Sequence, residues 1–266
     1  MAIVYEKSKG LTDVPLTYCP GCSHGTIHKL IAESLVELGV LEKSIAIAPV
    51  GCSVLAYEFF NCDAIQAAHG RAPAVATGIK RAKPDKIVFT YQGDGDLASI
   101  GTAEIIHAAH RGDNFTVIFV NNATYGMTGG QMAPTTLIEQ KTSTSPYGRK
   151  ESTTGKPLLV SEMMAPIPSA TYIERVSVHD VPHIIRAKRA IKKAFEYQIS
   201  GKGFSMIEVL GGCPIGWNMS PTDSMKFIKD TMIPYYPLGV YVDKCETSAK
   251  QIFAPTELVA AVGGMD

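Results

Sequence analysis

KIVFTYQGDGDLASIGTAEIIHAAHRGDNFTVIFVNN, the run from Lys86 to Asn122, decides the fold. Two stretches, Lys86–Gln92 and Phe115–Asn121, are apolar and rich in β-branched and aromatic residues. Each is short and bounded by glycine, aspartate or asparagine, which is the pattern of strands covered on both faces. Between them, Leu97–Arg111 carries apolar residues at helical spacing. A strand, a helix and a second strand in this order form a parallel unit, and such sheets bind ligands at the carboxyl ends of their strands. Those ends here read Gly93-Asp94-Gly95-Asp96 and Asn121-Asn122. A carboxylate and an amide carbonyl on neighbouring strand ends, with a backbone carbonyl near Thr124, make an oxygen-ligand site for a hard cation. Such a site leaves positions for diphosphate oxygens and water. The glycines let backbone approach a phosphate, and the N-terminus of the following helix favours negative charge.

The alternation continues outward. Towards the N-terminus, Ser23–Leu38 reads as a helix closed by Gly39, Ile45–Ala48 as a buried strand and Ala72–Arg81 as a helix. Towards the C-terminus, Thr171–Val178 reads as a strand, Val181–Ile199 as an amphipathic helix and Phe204–Leu210 as a strand. This predicts an α/β fold with a doubly wound parallel sheet, one domain over residues 1–220 and a C-terminal extension over 221–266 suited to subunit contact. The extension contains one expected helix, Asp223–Thr231. Gly129–Pro168, rich in Thr, Ser, Gly and Pro, is too long for a simple connection and reads as a covering loop or contact arm.

The chain has 266 residues, of which 45% are hydrophobic, and 25 basic residues balance 25 acidic ones. That balance gives no electrostatic case for nucleic acid or an anionic membrane. Small molecules and protein partners are expected instead. Neither a basic N-terminal stretch with an apolar core nor a charge-free span is visible, so a cytoplasmic location is expected.

Six cysteines are present: Cys19, Cys22, Cys52, Cys62, Cys213 and Cys245. In a reducing compartment they are buried thiols or metal ligands rather than disulfides. Cys19 and Cys22 form a C-x-x-C turn, while Cys52 and Cys213 sit on strand-end loops that a parallel sheet can bring to the same edge. Four thiolates meeting there satisfy either a [4Fe-4S] cluster or tetrahedral zinc, and the C-x-x-C pair alone equally fits a redox dithiol.

The Gly93-Asp94-Gly95 turn followed by Asn121-Asn122 resembles the thiamine diphosphate signature. Wider motifs are similar to the β subunit of 2-oxoacid:ferredoxin oxidoreductases: Tyr18-Cys19-Pro20-Gly21-Cys22-Ser23-His24-Gly25, Gly51-Cys52-Ser53, His69-Gly70-Arg71-Ala72, Thr128-Gly129-Gly130-Gln131 and Cys213-Pro214. The resemblance implies the sheet of the thiamine diphosphate-binding type. It implies Mg2+ held by Asp94, the Asn122 side chain and the Thr124 backbone oxygen, and one [4Fe-4S] cluster on Cys19, Cys22, Cys52 and Cys213. Around the cofactor it places Gly51, Cys52 and Ser53, then His69, then Gly93, Gly95 and Asp96, and finally Gly126, Met127 and Thr128.

The implied reaction is oxidative decarboxylation of a 2-oxoacid to acyl-CoA and CO2, with thiamine as the electron sink and single electrons passed to ferredoxin. His69 is expected to donate to the diphosphate or substrate, and Arg71 to bind a carboxylate or phosphate. The glutamate that activates the aminopyrimidine is implied to come from an α subunit, with γ and ferredoxin-like δ subunits completing the complex. Ser53-Val54-Leu55-Ala56-Tyr57 and Phe59-Phe60-Asn61 look most like the branched-chain 2-oxoisovalerate type, with pyruvate and 2-oxoglutarate as alternatives. Two other readings stay open, a non-oxidative thiamine-dependent decarboxylase subunit and a zinc-stabilised interaction subunit. Cys62 and Cys245 match no ligand position, His24 reads as a helix-start residue, and His107 and His110 share a helix face without a third ligand.

Overall fold

In the computed structural model, which describes residues 6–246, seven strands form one sheet. They are β1 (Ser44–Ala48), β2 (Asp63–Gln66), β3 (Ile87–Gly93), β4 (Thr116–Asn121), β5 (Ala170–Ser177), β6 (Phe204–Leu210) and β7 (Gly239–Asp243), in the spatial order β2-β1-β3-β4-β6-β5-β7. The first six are parallel, and β7 runs antiparallel to β5. At the centre, β3 and β4 pair from Phe89 opposite Thr116 to Gly93 opposite Val120, so the two motif-bearing ends finish side by side. The expected α/β architecture is the one observed.

Helices cover both faces. Ile27, Leu30, Ile31 and Leu35 of helix His24–Glu37 pack with Ala187, Ile191 and Phe195 of helix Val181–Ile199 against Phe89, Tyr91, Ile118 and Val120. On the opposite face, helices Ala72–Ala82 and Thr102–Arg111 bring Ala76, Ile105 and Ala108 onto Val88, Val117 and Phe119. Successive side chains of β3 and β4 thus alternate between two apolar layers, as a pleated strand requires. Each fully buried aliphatic or aromatic side chain contributes about 1.5–3 kcal/mol. Helix Thr102–Arg111 stops at Gly112, whose φ of 64° is the left-handed conformation that closes a helix cheaply only with glycine.

The connection after β1 returns over the first face, where Ala56 and Phe60 are buried, whereas the connection after β3 crosses the second, where Ile105 and Ala108 are buried. The two chains part between the carboxyl ends of β1 and β3, leaving the crevice characteristic of such a reversal.

Two strands escape the sequence pattern. All four residues of β2 are exposed, so this edge strand has no apolar face to announce it. The other, β7, lies in the expected C-terminal extension. The boundary at residue 220 does not divide the described residues into two bodies. Ile228, Met232 and Tyr236 are buried with Leu210 and Trp217, and β7 completes the sheet against β5. The expected helix over 223–231 is present within a longer helical stretch from Pro221 to Tyr235. The rest of the extension, 247–266, lies outside the described residues.

The segment 129–168 is largely irregular, as expected, but it is tightly held. It contains two short helices, Glu151–Thr154 and Val160–Met164. Buried Arg149 donates to the carbonyls of Pro134, Thr136, Thr154 and Lys156 at 2.7–3.0 Å. One planar guanidinium thereby satisfies backbone acceptors that a loop would otherwise leave unpaired. Among the described residues, no helix is long and apolar enough to cross a membrane.

Candidate active site

The crevice at the β1, β3 and β4 ends is an open-mouthed cleft. Its walls come from three consecutive loops. Val50, Gly51, Cys52 and Ser53 follow β1; Gly93, Asp94, Gly95 and Asp96 follow β3; Asn122 and Thr124 to Thr128 follow β4, with His24 and His69 at the sides. Every residue expected at the cofactor lines this one cleft.

Asp94 is 2% exposed. Its carboxylate accepts from the Gly95 N–H at 2.8 Å and from the Thr135 hydroxyl at 2.6 Å. Burial nevertheless pushes its pKa up to about 6, because these donors only partly replace lost hydration. Asn122 points one end of its amide at the Thr124 carbonyl oxygen, 2.9 Å away, and at Asp94 Oδ1, 3.3 Å away. With nitrogen at that end the amide donates to both; with oxygen there, three oxygens converge on a point that only a cation satisfies. The donor set and its burial therefore fit a divalent cation. Ala123, at φ 54°, makes the turn between these ligands, held by Thr136 Oγ1 donating to its carbonyl at 2.7 Å. Gly95 is required for a different reason: a Cβ there would lie 2.1 Å from the Tyr125 ring.

Asp96 also lines the cleft, but its oxygens are committed to the protein. One accepts from the Gly70 N–H at 2.7 Å and lies 2.5 Å from His69 Nδ1; the other accepts from Gln92 Nε2 at 2.7 Å. Asp96 is thus an anchor for His69, whose Nε2 is left for the cleft. Arg71 does not join it. The guanidinium pairs with Glu104 on helix Thr102–Arg111 and is not part of the cleft lining. The Thr128 hydroxyl is likewise taken, donating to Gln131 Oε1 at 2.5 Å.

The four expected cluster cysteines are free thiols on three loops that hydrogen bonds tie together. Cys22 N–H donates to the Cys19 carbonyl at 3.0 Å, Ser23 Oγ accepts from the Gly212 N–H at 2.7 Å, and the Tyr18 hydroxyl reaches the Cys52 carbonyl at 3.2 Å. Gly126 sits between two of the sulfurs, where a Cβ would meet Cys213 Sγ at 3.1 Å and Cys52 Sγ at 3.5 Å. Burial raises the Cys22 thiol to about 11, that of Cys213 to about 12, and that of Cys52 in the same direction, with neighbouring cysteines adding to each. Protons must therefore leave when a metal binds. Cys62 is pushed up to about 12 by burial against the core, as suits an inert thiol.

Sequence reasoning missed three residues here. Thr135 reaches Asp94 from a loop 41 residues away, which no spacing signals. His24 is buried, stacks on Tyr18 at 4.8 Å and lies 2.5 Å from the Tyr91 hydroxyl, so it does more than start a helix. Tyr125 covers Gly95.

Residues 49–209 match the family described as thiamine pyrophosphate enzyme, C-terminal TPP binding domain. The chain is 48% identical over 241 residues to the ketoisovalerate oxidoreductase subunit VorA of Methanothermobacter thermautotrophicus, covering 91% of this chain and 50% of that one. It therefore spans about half the length of that relative. To the 2-oxoglutarate synthase subunit KorB of Methanocaldococcus jannaschii it is 40% identical over 226 residues, covering 83% and 79%. A solved 2-oxoglutarate:ferredoxin oxidoreductase from Magnetococcus marinus, with 2-oxoglutarate, coenzyme A and succinyl-CoA bound, superposes with a TM-score of 0.74 at 26% identity, covering 96% of this chain and 94% of the other.

Proposed function

Since the chain belongs to the thiamine diphosphate-dependent 2-oxoacid:ferredoxin oxidoreductase subunits, we propose that it is the β-type subunit, joining a Mg2+-bridged diphosphate site to a [4Fe-4S] site. Bound thiamine supplies the electron sink that decarboxylation of a 2-oxoacid needs, and a cluster accepts electrons one at a time. The observation that carries this reading is Gly126: it belongs to the loop that follows the Asn122 and Thr124 oxygens, and its missing side chain makes room between Cys52 and Cys213.

Asp94, Asn122 and the Thr124 carbonyl would hold Mg2+. Gly93 and Gly95 keep side chains out of the diphosphate's way, and His69 presents Nε2 as its one group free to exchange a proton with cofactor or substrate. Val50 and Met127, 39% and 47% exposed, turn apolar surface towards the cleft. The lining residues include no lysine or arginine that could pair with a second substrate carboxylate. Both features, with the likeness to a ketoisovalerate oxidoreductase subunit, favour 2-oxoisovalerate over 2-oxoglutarate.

The lining also includes no glutamate, which supports an α subunit as the source of the pyrimidine-activating carboxylate. The sulfur spacing favours a cluster over zinc. Among the described residues no three cysteine sulfurs lie mutually within 4.8 Å, whereas Zn–S bonds of about 2.3 Å in a tetrahedron set sulfurs about 3.8 Å apart. Anaerobic co-purification with the α partner tests the proposal. A brown complex with four irons and labile sulfide per chain, oxidising 2-oxoisovalerate faster than 2-oxoglutarate, is expected; a colourless zinc complex, or oxidation by this chain alone, would contradict it.

A further inference from the structure

Outside the cleft, at the turn where β5 gives way to helix Val181–Ile199, His179, Asp180 and His183 gather three donor atoms within 4.8 Å of one another. His179 Nε2 lies 3.3 Å from Asp180 Oδ2, and His183 Nδ1 lies 2.5 Å from Asp180 Oδ1. Ser177 Oγ, 2.9 Å from His179 Nδ1, fixes that ring so that Nε2 faces the cluster. This is the arrangement in which a metal-binding histidine is held by a partner on its other nitrogen. The two rings lie 4.2 Å apart and tilted, and the His179 side chain is only 4% exposed.

We propose that these three residues bind a divalent first-row transition metal of the Zn2+ type. Two imidazole nitrogens and one carboxylate oxygen are the donors such ions prefer over Mg2+ or Ca2+. Asp180 serves two ends at once. Its Oδ1 accepts the His183 backbone N–H at 2.9 Å as the helix cap, while Oδ2 remains for the ion. The flanking charges from the neighbouring helical stretch, Lys229 and Asp230, are of opposite sign, so neither sign dominates the approach. His183 also borders a separate cleft with Ser177, Arg186 and Gly239. The ion ties the end of β5 to the first turn of the helix.

Co2+ is the probe, because its visible absorption separates nitrogen and oxygen coordination from the charge-transfer bands of thiolates at the cysteine site. In an anaerobic titration of the full chain in excess Mg2+, which keeps the oxygen site at Asp94 from taking cobalt, one equivalent of Co2+ binding without thiolate bands is expected. Asp180→Asn, which keeps a good helix cap, and His183→Gln each weaken that equivalent about tenfold or more. Nitrogen- and oxygen-bound cobalt persisting at wild-type affinity in both variants, or all bound cobalt carrying thiolate bands, overturns the proposal. If a variant fails to fold, footprinting of the wild-type chain decides: Co2+ must shield His183, the more exposed of the two rings, from diethyl pyrocarbonate, and equal labelling of His183 with and without the ion overturns the site.

Discussion

His69 Nδ1 lies 2.5 Å from Asp96 Oδ1, and the same carboxylate accepts from Gly70 N–H and Gln92 Nε2. The second aspartate of the Gly-Asp-Gly-Asp turn is therefore spent on orienting a histidine from the loop that leads into helix Ala72–Ala82. An acceptor at Nδ1 sets the tautomer and leaves Nε2 for the cleft.

Asp96→Asn keeps the shape but sets an NH2 group against one of the donors now facing the carboxylate, and His69 loses its fixed tautomer. In the assembled complex kcat is expected to fall about 100-fold or more, with thiamine diphosphate affinity nearly unchanged. Parallel measurements of turnover and cofactor binding check this; unaltered turnover would remove His69 from any role in proton movement.

Thr135→Val deletes one hydrogen bond to Asp94 while preserving side-chain volume. A loss of about 1.5–3 kcal/mol in cofactor affinity is expected for a bond to a charged group, read by titration of thiamine diphosphate in the presence of Mg2+. Wild-type affinity would mean that Asp94 needs no support from the loop.

Beneath the active site, Glu208 joins the sheet to the asparagine pair. Its carboxylate accepts from Asn121 Nδ2 at 2.8 Å and from Ser161 Oγ at 2.5 Å. Arg175 Nε is 2.9 Å from its second oxygen, close as an ion pair though not aligned as a hydrogen bond, with both side chains fully buried. Glu208→Ala removes one of the two carboxylates on Arg175 and leaves the buried Asn121 and Ser161 donors without their acceptor, at an expected cost of about 1–3 kcal/mol per unpaired donor by chemical denaturation. Glu162, which also pairs with Arg175, would have to compensate fully for the loss to be negligible.

Acid should destabilise the folded chain through His24 and His28. Burial pulls the first down to about 4 and the second well below its ordinary value. The unfolded chain takes up these protons near pH 6.5, so stability is fully present above about 6.5 and is lost as pH falls towards the folded values. The contribution from His24 is about 3 kcal/mol between about pH 6.5 and 4. Denaturation midpoints across that range check it. The His24→Asn/His28→Gln variant starts less stable but should show a flatter slope, and an unchanged slope would assign the acid sensitivity elsewhere.

The central strands and the Gly93–Asp96 and Asn121–Asn122 turns were legible because burial on both faces leaves continuous apolar runs, and because the ligand chemistry sits where those runs end. β2 was not, since an exposed edge strand of four residues has no periodicity to read. β7 pairs with β5 from some 65 residues away, and Thr135 reaches Asp94 from a segment whose shape depends on the buried Arg149. Arg71 lies outside the cleft lining. Its place in a motif suggested an anion, whereas the chain's own Glu104 is the partner within reach.

Binding of thiamine diphosphate to the anaerobically assembled complex, compared between the wild type, Asp94→Asn and Asp94→Ala, bears most directly on the metal-bridged site. A loss of about 100-fold or more in affinity in both variants, with iron and sulfide content unchanged and the Mg2+ requirement abolished, is the expected result. Retention of the cofactor at wild-type affinity in folded Asp94→Ala would contradict the assignment of this cleft as the diphosphate site.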